Sequence, residues 1–194
     1  MKGHEYARRM LKDMLEQRVP ERLDVIRATV DEQWPPDPRA YLLADSLPMK
    51  EEQFPCVLVT SSNGRPNVNL QSGLGEFIYE YELTVGVALV APRHGGEEMS
   101  SIGRDRVLLA VREALMLNAK LADDCFAVTR GMPEATGAAI ESIQSKPMSL
   151  GNITLAVRVV EELIDPLLDA VGNPIAIQTH DQTALAVDAS QPLP

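Results

Sequence analysis

The chain has 194 residues, enough for one domain with its own hydrophobic core and no disulfide or metal staples. Its net charge of −10 excludes a protein that grips nucleic acid through clustered Lys and Arg. It is compatible with DNA sliding past an acidic surface. Aromatic residues make up only 4%, so the core must be aliphatic.

Residues 5–17 read as an amphipathic helix, with Tyr6, Met10, Leu11, Met14 and Leu15 at helical spacing. Pro20 fits the first turn of a second helix over residues 21–33, whose stripe is Leu23, Ile26 and Val30. Pro35, Pro36 and Pro38 end it. Residues 35–53 then read as an irregular connection with an apolar island at Tyr41, Leu42 and Leu43.

Residues 54–60 (Phe-Pro-Cys-Val-Leu-Val-Thr) are apolar on both parities, which predicts a strand covered on both faces. Residues 61–75 form a polar, Gly-containing loop. Residues 76–90 then alternate. Phe77, Tyr79, Tyr81, Leu83, Val85, Val87 and Leu89 share one face, and Glu76, Glu80, Glu82 and Thr84 lie on the other, with Ile78, Gly86 and Ala88 among them. This predicts a strand of about 45 Å, long enough to expect a bend near Gly86 or a projecting hairpin end.

A long helix is expected over residues 97–118, with Ile102, Val107, Leu108, Val111, Ala114 and Leu115 as its stripe. Arg104, Arg106 and Arg112 fall mostly off that stripe. Residues 119–147 are mixed, and 135–143 read equally as a short helix or a loop. A second alternating run at 152–163 predicts another strand, with Ile153, Leu155, Val157, Val159, Glu161 and Leu163 on one face. Ile175, Ile177 and Thr179 suit a short edge strand, and residues 181–194 read as a mobile tail.

The residues supply little chemistry. His4, His94 and His180 are too scattered for a metal site. His94 with Glu97 or Glu98 lies between a strand and a helix, but no nucleophile motif accompanies it. A solvated turn with glutamates at a helix N-terminus is the simpler reading. Gly73-Leu74-Gly75 precedes a strand and lacks the pattern of a phosphate loop. Asp123 and Asp124 are adjacent and point apart on any regular element. Cys56 and Cys125 lie in apolar company and read as buried small hydrophobes. No catalytic residue, metal or cofactor is expected. The first 17 residues are not a signal peptide, and no apolar run reaches the ~20 residues of a membrane span. The chain therefore reads as made and used in cytoplasm.

The order of elements is amphipathic helix, proline-rich connection, buried strand, long alternating strand, long helix, and a further alternating strand. It resembles the tail terminator family of long-tailed bacteriophages. The resemblance runs over residues 8–15, 54–59, 79–87, 104–115 and 153–161. It implies an α+β fold: a mixed, mainly antiparallel sheet packed against α-helices, with an extended loop at 61–75. Residues 1–163 are then one domain and 164–194 a C-terminal arm. It also implies a homo-hexameric ring that caps the tail tube, stops its growth and meets the head-completion protein of the connector. DNA would pass through without specific binding, and no membrane is involved. Such a protein resides in the virion neck after assembly in the host cytoplasm.

On that reading the site residues are surfaces. Glu76, Glu80 and Glu82 are expected on a ring lumen or interface, against the plainer reading of a solvated sheet face. Arg104, Arg106 and Arg112 are expected as partners for acidic neighbours in an adjoining subunit. Two other readings remain: another neck, head-closure or tail-tube subunit of related fold, and a small cytoplasmic enzyme or ligand-binding protein with a pocket near His94.

Overall fold

The computed structural model describes residues 3–43, 50–61, 69–71, 76–91, 96–137, 142–143 and 146–162. Residues Met1–Glu162 form one compact unit. The expected arm, the edge strand at 175–179 and the tail all lie outside the described residues, as does most of loop 61–75.

The two expected N-terminal helices are one. Helix α1 runs Gly3–Val30 with Pro20 inside it. The apolar row explains this. Ala7, Leu11, Leu15, Val19, Leu23 and Ile26 are all buried, and their spacing of four, four, four, four and three keeps one face in phase across the proline. Proline removes one backbone hydrogen bond, but burying each large side chain of that row gives about 1.5–3 kcal/mol, so packing outweighs the local defect. Pro20→Ala is accordingly expected to stabilise the protein by about 1–2 kcal/mol. The helix penalty of about 3 is partly offset by the freer unfolded chain of alanine. An unchanged urea midpoint would contradict this.

Helix α1 stops at Asp31, whose φ of 54° is left-handed, while the Glu32 N–H donates to the Arg27 carbonyl at 3.1 Å. This is the helix-ending motif usually built on glycine. The chain beyond folds back onto Arg27, which is only 8% exposed. Its guanidinium donates to the Pro35 carbonyl and pairs with Asp24 and Asp37.

The connection 35–53 is not wholly irregular. It holds strand β1 (Ala40–Leu42), parallel to β2 (Cys56–Ser61), and a 3-10 turn at Glu51–Gln53. Strand β2 is buried on both faces over Cys56–Val59, as its double-parity apolar run predicts. It pairs antiparallel with β4 (Glu76–Val90), and β3 (Asn69–Gln71), within the expected loop, pairs with the first part of β4. Strand β4 has the predicted bounds. Its pairing with the last strand is continuous from Glu76↔Glu162 to Val90↔Met148, so Gly86 interrupts no register.

Helix α2 (Gly96–Leu117) matches expectation, and the Gly103-Arg104-Asp105-Arg106 stretch is helical. Where it is described, the 119–147 region holds short strands joined by turns. The strands are β5 (Lys120–Ala122), β6 (Cys125–Val128), β7 (Glu134–Gly137) and β8 (Ser142–Ile143). No helix forms over 135–143 among the described residues. Strand β9 (Lys146–Glu162) begins six residues earlier than the alternation suggested. The sheet order is β1-β2-β4-β9-β6-β5, with β3 on β4 and with β7 and β8 on β9. Only β1–β2 is parallel, so the fold is α+β with a mixed, mainly antiparallel sheet.

One face of this sheet meets both helices. Val57, Val59, Leu83, Val85, Val87, Leu89, Ile153, Leu155, Val157 and Val159 form the core with the buried stripes of α1 and α2. A smaller cluster on the other face joins Phe54, Cys56, Leu58, Ala88 and Met148. No described helix is long and apolar enough to cross a membrane.

Candidate functional site

From Tyr79 to Leu89 the odd-numbered residues of β4 point into the core, so the even-numbered residues between them form the outer face of the sheet. Register places Glu80 opposite Arg158, Glu82 opposite Ala156 and Thr84 opposite Thr154. Arg158 Nε donates to Glu80 Oε2 at 2.8 Å, and the two threonine hydroxyls lie 3.3 Å apart. Phe126 of β6, 37% exposed, extends this row from the far side of Arg158. The middle of the face is therefore polar, and its two ends are apolar, with Ile78 opposite Val160 at one and Ala88 opposite Leu150 at the other.

Two of the three sequence-selected glutamates are thus placed. Glu80 and Glu82 share the outer face, half-buried, and Arg158 offsets the charge of Glu80. Glu76 lies at the end of the ladder, in register with Glu162, and only its backbone position is described. The same face holds a hollow of about 440 Å³ lined by Thr60, Thr84, Gly86, Thr136 and Asn152. Gly86 opposite Asn152, with Leu58 alongside, is what leaves this space.

The arginines occupy different environments, and each finds partners within the chain. Arg104 is only 7% exposed and pairs with Asp105. Arg106 donates to the Trp34 carbonyl and pairs with Glu32, each at 2.6 Å, tying α2 to the turn after α1. Arg112 pairs with Glu134 of β7 at 3.2 Å. Arg104 is the surprise. Its position lies at the margin of the apolar stripe, and the close approach of Gly151 turns that margin into interior.

A second feature, an apolar hollow of about 530 Å³, lies where α1 ends and α2 begins, between Trp34, Met99 and Ile102. Trp34 donates its indole N–H to the Met99 carbonyl at 2.9 Å, so one wall is fixed.

Long strand β4 is an inner strand. Strand β9 takes one edge throughout, and β2 and β3 take much of the other. Among the described residues, the strands paired on one side only are β1, β3, β5, β7 and β8, of two to four residues each. Short outer strands limit pairing with another chain.

Sequence reasoning also missed the burial of Glu161. Glu161 is 2% exposed, and its Oε1 accepts from the Gly3 N–H at 2.7 Å and from the Tyr81 hydroxyl at 3.2 Å. Burial, then the Glu161 carboxylate, pushes the Tyr81 phenol above its ordinary pKa. A carboxylate on the first N–H of a helix also complements the helix dipole. His4 packs edge-on against Tyr81, with ring centroids 5.5 Å apart. The cluster anchors α1 to the end of β9. The alternation carried its signal, since Glu161 was the one polar member of an aliphatic row.

Among the described residues, no group of three or more His, Cys, Asp and Glu is placed to hold a metal ion. His94 and His180 lie outside them. Cys56 and Cys125 form no disulfide and are buried, as their apolar neighbours predicted. Burial pushes the Cys56 thiol up to about 12, which leaves almost no thiolate at pH 8. Native protein should therefore leave Cys56 unlabelled by iodoacetamide at that pH, and unfolded protein should label both cysteines. Rapid native labelling of Cys56 would show that β2 opens.

No protein-family model matches the chain, and no curated protein matches it by sequence. The functional reading therefore rests on the residues and their geometry.

Proposed function

We propose that this protein is a structural virion subunit without catalytic function. In this reading it assembles into a ring, a hexamer as in the phage tail terminators it resembles. The ring caps the tail tube, stops its polymerisation and joins the tail to the head connector.

The observation that carries this reading is the two-sided long ladder of β4 and β9. One side is the core. The other has a polar middle bearing Glu80, Glu82, Thr84, Thr154 and Arg158, between apolar ends. Such a face suits the wall of a channel through which a polyanion slides, and the chain's net charge of −10 disfavours phosphate grip. Because β4 is an inner strand, contacts between subunits would fall to side-chain surfaces and short edges. A ring needs a heterologous contact whose rotation closes.

The test is electron microscopy of particles assembled without the protein. Over-long tails are expected, and tails of normal length would overturn the terminator role. Purified protein that polymerises alone into long tubes would make it a tube subunit of related fold. Protein that stays monomeric with tail tubes present would remove the ring altogether.

A further inference from the structure

The helix layer has an outer face as well as a core face. Most of the large hydrophobic side chains exposed among the described residues lie on α1, α2 or their ends. They are Val25, Val30, Met99, Ile102, Met116 and Leu117. On α2, Ile102, Leu109 and Met116 recur every seven residues. Seven residues bring a helix back to within about 20° of the same direction, so the three form one row. Ile102 is 39% exposed, Met116 is 61% exposed, and Leu109 is partly buried between them.

The charges beside this row follow the same period. Asp105 and Arg112 lie along one side of it, each about 50° from the row. Arg106 and Glu113 lie along the other side at a similar angle. When two identical helices meet antiparallel about a two-fold axis, each side of one row faces the same side of the other. An axis near Leu109 then sets Ile102 against Met116 of the second copy and Leu109 against itself. Asp105 then meets Arg112 of the second copy, twice over, on one side. On the other side Arg106 and Glu113 are already paired within their own chain, with Glu32 and with Arg22, so Asp105 and Arg112 carry the charge complementarity.

We propose that α2 is a self-association surface, and that its partner is a second copy of this chain packed antiparallel across a two-fold axis at Leu109. The pairing is independent of the ring reading. A two-fold contact closes on itself, so it joins two subunits, or two rings face to face, and builds no ring alone. The internal pair Arg112–Glu134 is between partly exposed members and contributes little, and both contacts of the buried Arg104 to Asp105 use Oδ1, which leaves Oδ2 for a partner. Asp105 and Arg112 therefore remain able to engage across the axis.

Sedimentation of charge variants tests this. Asp105→Arg alone sets arginine against arginine, and Arg112→Asp alone sets aspartate against aspartate. Each variant is expected to self-associate about tenfold more weakly than wild type or worse. Mixed one to one, the two restore opposite charges at both positions, and a heterodimer should form. Met116→Glu, at an exposed position, should abolish dimerisation while leaving the circular dichroism melt unchanged. Wild-type protein that is monomeric at all concentrations would overturn the inference, as would dimers that ignore these substitutions. Neither outcome touches the tail-length test of the ring reading. A mixture that fails to associate would equally exclude the antiparallel two-fold.

Discussion

Gly103→Val is expected to cost about 2–3 kcal/mol, read as a lowered urea midpoint and melting temperature. In an exposed helix interior, replacing glycine with alanine would gain about 1 kcal/mol. Here the gain is reversed. A Cβ at position 103 would lie 2.7 Å from the Trp34 Nε1 and 2.9 Å from a Leu89 methyl. The indole cannot easily retreat, because its N–H is bonded to Met99 and its backbone carbonyl to Arg106. Gly103→Ala should already destabilise by about 1 kcal/mol, and valine adds branched bulk and lower helix propensity. An alanine variant more stable than wild type would show that the indole moves freely. The substitution thus measures how firmly the turn after α1 is clamped to α2.

Glu161→Ala is expected to cost about 2–3 kcal/mol, while Glu161→Gln costs less. Alanine leaves the Gly3 N–H and the buried Tyr81 hydroxyl without their acceptor, and it vacates space at the end of β9. Glutamine keeps an oxygen at the same reach and loses only the charge. Hydrogen exchange should locate the alanine damage in the first turns of α1. A loss below about 0.5 kcal/mol, the range of an ordinary surface change, would show that the carboxylate is not holding the helix.

The legibility of the fold followed the length of its patterns. Strand β4 was read to the residue because fifteen residues of alternation leave one solution. Helix α2 was read nearly as well. The joining of α1 is also present in the sequence, in the unbroken 7-11-15-19-23-26 row, whose phase outweighs the local effect of Pro20. Strands β5 to β8 have two to four residues each, too few to establish a period. Strands β6, β7 and β8 exist because β9 offers an edge to pair with, and β5 because β6 does, which is tertiary information. The early start of β9 was hidden by Pro147 and Gly151, which read as breakers in isolation.

The site residues divide in the same way. Parity alone placed Glu80 and Glu82 on a common outer face. Parity did not show that Arg158 stands opposite Glu80, because register between strands so distant in sequence is not a local property. The three arginines looked alike as off-stripe cations. Their differing fates depend on the turn at Trp34, on β7 and on the nearness of Gly151, none of which the helix pattern contains.

The long β4–β9 ladder also sets an order in time. Its partners are 58 residues apart at Val90↔Met148 and 86 at Glu76↔Glu162, with α2 and four short strands between. During synthesis β4 emerges with β2 already available to pair, whereas its other edge must wait until β9 has been made. Through that interval an apolar strand lies open on one side, the condition under which nascent chains meet each other instead of themselves. The same ladder that organises the finished protein makes its synthesis the moment of greatest exposure to aggregation.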